Sequence, residues 1–99
     1  MVEVSPLVDD YILALVHATR RSPGVEVGVS TRGALALRKA AQAYALLEER
    51  RYATPDDVKA LAVPVLAHRL IFASDQLSEL REQAERLVES LLREIPVPL

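Results

Sequence analysis

The sequence has no cysteine, no tryptophan and only three glycines. The lack of cysteine excludes disulfide scaffolds, zinc–thiolate sites and thiol catalysis. Aromatics are scarce, limited to Phe72, Tyr11, Tyr44 and Tyr52. A core must therefore come from Leu, Val, Ile and Ala, which suits closely packed helices. No apolar run reaches the roughly 18 residues that would mark a membrane span. The start, Met1-Val2-Glu3-Val4, lacks the basic and apolar regions of a signal peptide. Basic charge is not in excess: 12 Lys and Arg against 14 Asp and Glu leave a formal net charge of −2. Duplex nucleic acid is thus disfavoured as a partner, because phosphate affinity needs a basic face. No interleaving of aromatic and basic residues points to single-strand binding.

Catalytic signatures are missing as well. A phosphate loop needs a glycine-spaced turn ending in lysine and a hydroxyl residue. Gly24, Gly28 and Gly33 offer none before a lysine. His17 and His68 are far apart and have no metal-ligand spacing, so no metal site is expected. Asp9/Asp10 and Asp56/Asp57 fall in first turns of expected helices, where the helix dipole accounts for them. No serine has a nucleophile-elbow context. No catalytic residue is assigned within the chain.

What is present reads as one all-α domain over residues 1–99, a four-helix bundle. Ser5-Pro6 opens the first helix, an N-cap type followed by proline at the first position. Val8, Tyr11, Ile12, Leu15 and Ala18 carry its apolar stripe to about Thr19. The second helix runs from Thr31 to about Glu49 and is rich in alanine. It is apolar on most sides and reads as the central helix. Thr54-Pro55-Asp56-Asp57 is the clearest start signal in the chain and opens the third. Pro64 should kink or end it, with helicity resuming to His68. The last helix spans about Asp75 to Glu94, with Leu77, Leu80, Ala84, Leu87 and Leu91 at heptad spacing. Residues 25–28 alternate apolar and polar. A very short two-stranded β element is expected, pairing 25–28 with 51–53.

The most informative segment is Gly28-Val29-Ser30-Thr31-Arg32, directly before the alanine-rich helix. Ser30 is a strong N-cap type, and Gly28 gives the turn before it. That places Arg32 in the first turn, at the positive end of the helix dipole, a local cost of about 0.3–1 kcal/mol. The same helix end attracts phosphate. A plain reading makes Arg32 a solvated surface arginine. The sharper one puts an anion between the arginine and the helix end.

The ordered segments Ala18-Thr19-Arg20, Gly28 through Ala34, Arg51-Tyr52-Ala53-Thr54-Pro55-Asp56-Asp57-Val58, Ala67-His68-Arg69-Leu70 and Ile95-Pro96-Val97-Pro98 resemble the C-terminal helical lid of MoxR-type AAA+ ATPases. The likeness covers nearly the whole chain, apart from 72–93, which is less diagnostic. Thr31 departs from the proline frequent in that family. The resemblance implies that Arg32 is the sensor-2 arginine, reaching nucleotide phosphates, with Gly28 and Ser30 supporting it. It implies that the α/β ATPase core lies on other polypeptide, so this fragment alone is neither an enzyme nor an ATP or Mg2+ binder. For the parent it implies ATP and Mg2+, a homo-oligomeric ring, a chaperone-like assembly role, a cytoplasmic location and von Willebrand A-domain partners. From the residues alone, the alternative is a freestanding interaction or dimerisation module using the leucine stripe of the last helix.

Overall fold

Local signals set most of the helix starts. The structure, a computed structural model, describes residues 2–72 and 77–97. Helix α1, Pro6–Arg21, is capped by Ser5, whose hydroxyl accepts the Val8 N–H. Strand β1 is Val25–Val27. Helix α2, Thr31–Leu47, is capped by Ser30, and α3, Pro55–Leu66, by Thr54. A 3-10 turn, Ala67–Arg69, leads into strand β2, Ile71–Phe72, and then α4, Leu77–Glu94. The expected start of α4 at Asp75 lies outside the described residues.

The all-α class holds, with one minimal two-stranded antiparallel element. Its partner strand differs from expectation: β1 pairs with β2, Val25 opposite Phe72 and Val27 opposite Ile71. Residues 51–53 instead meet the N-terminal segment. Glu3 N–H donates to Arg51 O at 2.8 Å, and Ala53 N–H donates to Glu3 O at 2.9 Å. The reason is length. The 17 residues of α2 separate the two candidate strands by about 25 Å, so β1 cannot reach residues 51–53.

Helix α2 also differs from the central helix expected. It buries one face through Ala34, Leu37, Ala41 and Ala45, while Leu35, Leu46 and Leu47 are exposed. The small residues on that face let α3 approach closely. Helix α3 passes through Pro64 without ending there. Proline removes the hydrogen bond to the Ala60 carbonyl. Ala60 and Pro64 are both exposed, so water can serve that carbonyl. The rest of the core is supplied by Tyr11, Ile12, Leu15 and Val16 of α1, Val58, Ala62 and Leu66 of α3, and Ala84, Val88 and Leu91 of α4.

Two terminal motifs fix the α2–α3 connection. Glu49 has φ 60°, a left-handed conformation usually given to glycine. Arg50 N–H bonds Ala45 O and Glu49 N–H bonds Leu46 O, both at 2.9 Å, which closes α2 in a Schellman motif. The missing glycine explains why the sequence places the end of α2 two residues late. Arg50 then grips the start of α3. Its guanidinium donates to both Asp57 carboxylate oxygens, at 2.7 and 2.6 Å, and to Tyr52 O at 3.1 Å. Asp57 closes a capping box by accepting the Thr54 N–H. Asp57 is almost fully buried. Its hydrogen bond from Arg50 holds the carboxyl below its usual range, aided by Thr54 and opposed by burial.

Replacing Glu49 by glycine should raise stability by about 1 kcal/mol, since a left-handed residue with a side chain is penalised by that order; chemical denaturation measures it. Because the Asp57 carboxyl titrates lower in the native state than in the unfolded chain, its contribution is complete above the unfolded value of about 4. It is lost as pH falls from there through the lower native value. Melting temperatures measured from pH 6 to pH 2 should fall across that window, and Asp57→Asn should flatten that part of the profile.

Candidate functional site

Arg32 stands in the first turn of α2, exposed to solvent, and makes no ion pair among the described residues. The first turn holds no acidic residue. Ser30, at φ −81° and ψ 171°, accepts the Gly33 N–H at 3.4 Å. Among the described residues, a cation thus stands without an acidic partner at a helix end that itself favours anions.

The approach to this helix end is tied down on α1. The amide of Val29 donates to Thr19 Oγ1 at 3.0 Å, and the Val29 carbonyl accepts from Arg20 Nε at 3.0 Å. Thr19 Oγ1 donates in turn to Val16 O at 2.6 Å. The Val29 side chain is fully buried and plugs into the core. Both flanking glycines are required by close approach. A Cβ on Gly28 would lie 2.6 Å from Arg20 Cγ and 2.8 Å from Arg20 Cα. One on Gly33 would lie 2.5 Å from Val29 Cγ1 and 3.1 Å from Arg69 Cδ. Gly28 does not have a positive φ; among glycines that feature belongs to Gly24.

Helices α1 and α2 run antiparallel. Thr19 meets Val29 at one end, and Asp9 pairs with Arg38 at 2.8 Å further along. Asp9, Leu13 and His17 follow one another at four-residue steps on α1, while Arg38, Leu35 and Arg32 descend at three-residue steps on α2. Residues so spaced share a helix face. Arg32 and Leu35 are thus neighbours on α2, and Leu35, at 54% exposed, and Leu13 of α1, at 46%, are both open to solvent.

The sequence reading identifies Gly28, Ser30 and Arg32, and the structure brings all three together at the start of α2. It does not identify Thr19, Gly33 or Arg69 as part of this environment. Thr19 could have been noticed as a hydroxyl continuing the apolar stripe Val8, Tyr11, Ile12, Leu15 and Val16. The closeness of Arg69 to Gly33 depends on how α3 packs against α2, which no local signal reports. His17 and His68 are both exposed, on α1 and in the 3-10 turn respectively. Among the described residues no three metal-ligating side chains cluster. No described helix is long and apolar enough to cross a membrane.

Comparison with known proteins identifies the family of the fold. The AAA lid domain family matches residues 17–91, most of the chain. The chain belongs to the AAA lid domain family. Its likeness is to lids of the MoxR type. It is 37% identical over 108 residues to protein MoxR of Paracoccus denitrificans, covering 95% of this chain and 32% of that protein. It is 44% identical over 92 residues to the uncharacterized protein YeaC of Bacillus subtilis, covering 93% of this chain and 28% of YeaC. A crystal structure of a candidate ATPase from Cytophaga hutchinsonii superposes with a TM-score of 0.83 at 28% identity, over 99% of this chain and 32% of that one. The chain thus spans about a third or less of these relatives.

Gly28→Ala should destabilise the domain by about 1–3 kcal/mol, the cost of forcing a methyl group into a filled space. The clash is with α1 backbone and cannot be relieved by a rotamer change alone. Denaturant titration of the variant checks this, and an unchanged midpoint would show that the loop can lift from α1 freely.

Proposed function

We propose that this chain serves as the C-terminal lid of a MoxR-type AAA+ ATPase, with its α/β core on further polypeptide, and that Arg32 is the sensor-2 arginine. One observation carries the reading. Arg32 is exposed and lacks an acidic partner among the described residues, at a helix N-terminus whose first turn holds no acid. Such an end fits an anionic ligand, because N–H groups, helix dipole and guanidinium all favour negative charge there. The guanidinium can donate two parallel hydrogen bonds to phosphate oxygens. ATP and Mg2+ would be held mainly by the core, which supplies the phosphate loop and the acidic strand. Arg32 would add charge to the β- and γ-phosphates from the lid side. The Leu13–Leu35 stretch beside Arg32 is the surface we place against that core.

If ATP binds the closed lid better than the open one, nucleotide state biases lid position. The rigid bundle then transmits that bias. A homo-oligomeric ring, a chaperone-like assembly role, a cytoplasmic location and von Willebrand A-domain partners accompany this reading as proposals drawn from the MoxR likeness. The dimerisation alternative loses its surface among the described residues. Ala84, Val88 and Leu91 of α4 are buried in the core, and Leu87 and Leu92 pack against it.

In the full-length ATPase, Arg32→Ala should lower ATP turnover or nucleotide affinity by about 10-fold to 100-fold, because a hydrogen bond to a charged group is worth about 1.5–3 kcal/mol. Steady-state ATPase kinetics and nucleotide titration measure both quantities. Wild-type values for both would remove the sensor assignment.

A further inference from the structure

We propose that Thr19 and Arg20 are positioning residues for Arg32. They lock the Val29 peptide onto the last turn of α1 and so fix the origin of the arginine-bearing helix turn. This rests on the reading of Arg32 as a nucleotide-sensing arginine.

The first turn of a helix is its weakest part, because its N–H groups lack intrahelical partners. In α2 that turn also opens on exposed residues: Ser30, Thr31 and Arg32 all face solvent. Inward anchorage of the helix begins at Gly33 and Ala34. Upstream of Ser30, the attachment is the Val29 peptide. Its two polar groups are satisfied by two consecutive residues of α1, the N–H by Thr19 Oγ1 and the carbonyl by Arg20 Nε. Thr19 uses its hydroxyl in both senses, donating to Val16 O while accepting from Val29. The Arg20 stem occupies the space that the missing Gly28 side chain leaves.

The division of labour follows from exposure. Thr19 is fully buried, so its bond to Val29 is shielded from competing water. Arg20 is exposed and makes no ion pair among the described residues. An arginine kept for a carbonyl rather than for a carboxylate is held there by geometry. Because α1 is packed into the core on its other face, the clamp makes the Arg32 turn part of the rigid bundle. Without it, the turn frays, and the guanidinium loses its fixed distance from the core domain. Small misplacements of a charged group are enough to weaken transition-state or phosphate contacts.

The test compares variants in the full-length ATPase, reading KM for ATP separately from kcat, with Val29 amide exchange followed by NMR. Thr19→Val keeps shape and removes the hydroxyl, and Thr19→Ser keeps the hydroxyl. Arg20→Met keeps the stem against Gly28 and removes Nε. Thr19→Val and Arg20→Met should each raise KM by about tenfold. They should speed Val29 amide exchange while core amides of α1 and α3 stay protected. Thr19→Ser should restore wild-type values. The Thr19→Val/Arg32→Ala double variant should be no worse than Arg32→Ala, since residues acting as one unit are non-additive. If Thr19→Val fails to fold, Arg20→Met at its exposed position decides the matter. Impairment by Arg32→Ala with wild-type KM in Arg20→Met and in any folded Thr19→Val would overturn the clamp and leave the sensor reading intact. Wild-type behaviour of Arg32→Ala would remove the sensor reading, and the positioning role with it.

Discussion

The contact of the Gly28–Val29 segment with the end of α1 is the constraint on which the rest of the functional end depends. It is a backbone contact, close enough that a single Cβ at position 28 would collide with α1. It satisfies both backbone polar groups of Val29 and drives its side chain into the core. Everything after it, from the Ser30 cap to the direction of α2, inherits its position. A buried peptide left without these partners would cost about 1–3 kcal/mol per unsatisfied group, a large part of the stability of a domain this small.

The two ends of α2 are organised by opposite electrostatic logic. At its start, a cation stands without an acidic partner among the described residues, at the positive end of the helix. At its end, a cation is neutralised: Arg50 closes on Asp57 with two short hydrogen bonds and caps the next helix. The second arrangement is structural, because Asp57 is buried and every hydrogen bond it makes serves the α2–α3 junction. The first arrangement serves no internal purpose among the described residues, which is why it reads as a site. Two arginines bordering the same helix are thus distinguished by their partners.

Much of this was legible from residue order. Ser5-Pro6, Ser30 and Thr54-Pro55 announce helix starts through side-chain oxygens and fixed proline φ, which act over three or four residues. The end of α2 was less legible because Glu49 occupies a left-handed position without being glycine. The strand partner was misplaced for a different reason. Pairing of β1 with β2 spans more than forty residues and depends on where two intervening helices return the chain. The resemblance to MoxR lids singled out Arg32 as a candidate, while Thr19 and Arg20 entered only as matching letters without a role.

The sequence by itself determined the helical class, the caps, the absence of a phosphate loop and the place of Arg32 in a first turn. Each of these follows from interactions between residues a few positions apart, or from residue types that are simply missing. Only the tertiary structure decided which apolar stripes are core, which strand pairs with β1 and what holds the Arg32 turn in place. Those outcomes depend on contacts between α1, α2 and α3 that are distant in sequence. Their geometry is set by how the whole set of helices packs, and no local pattern encodes that distance.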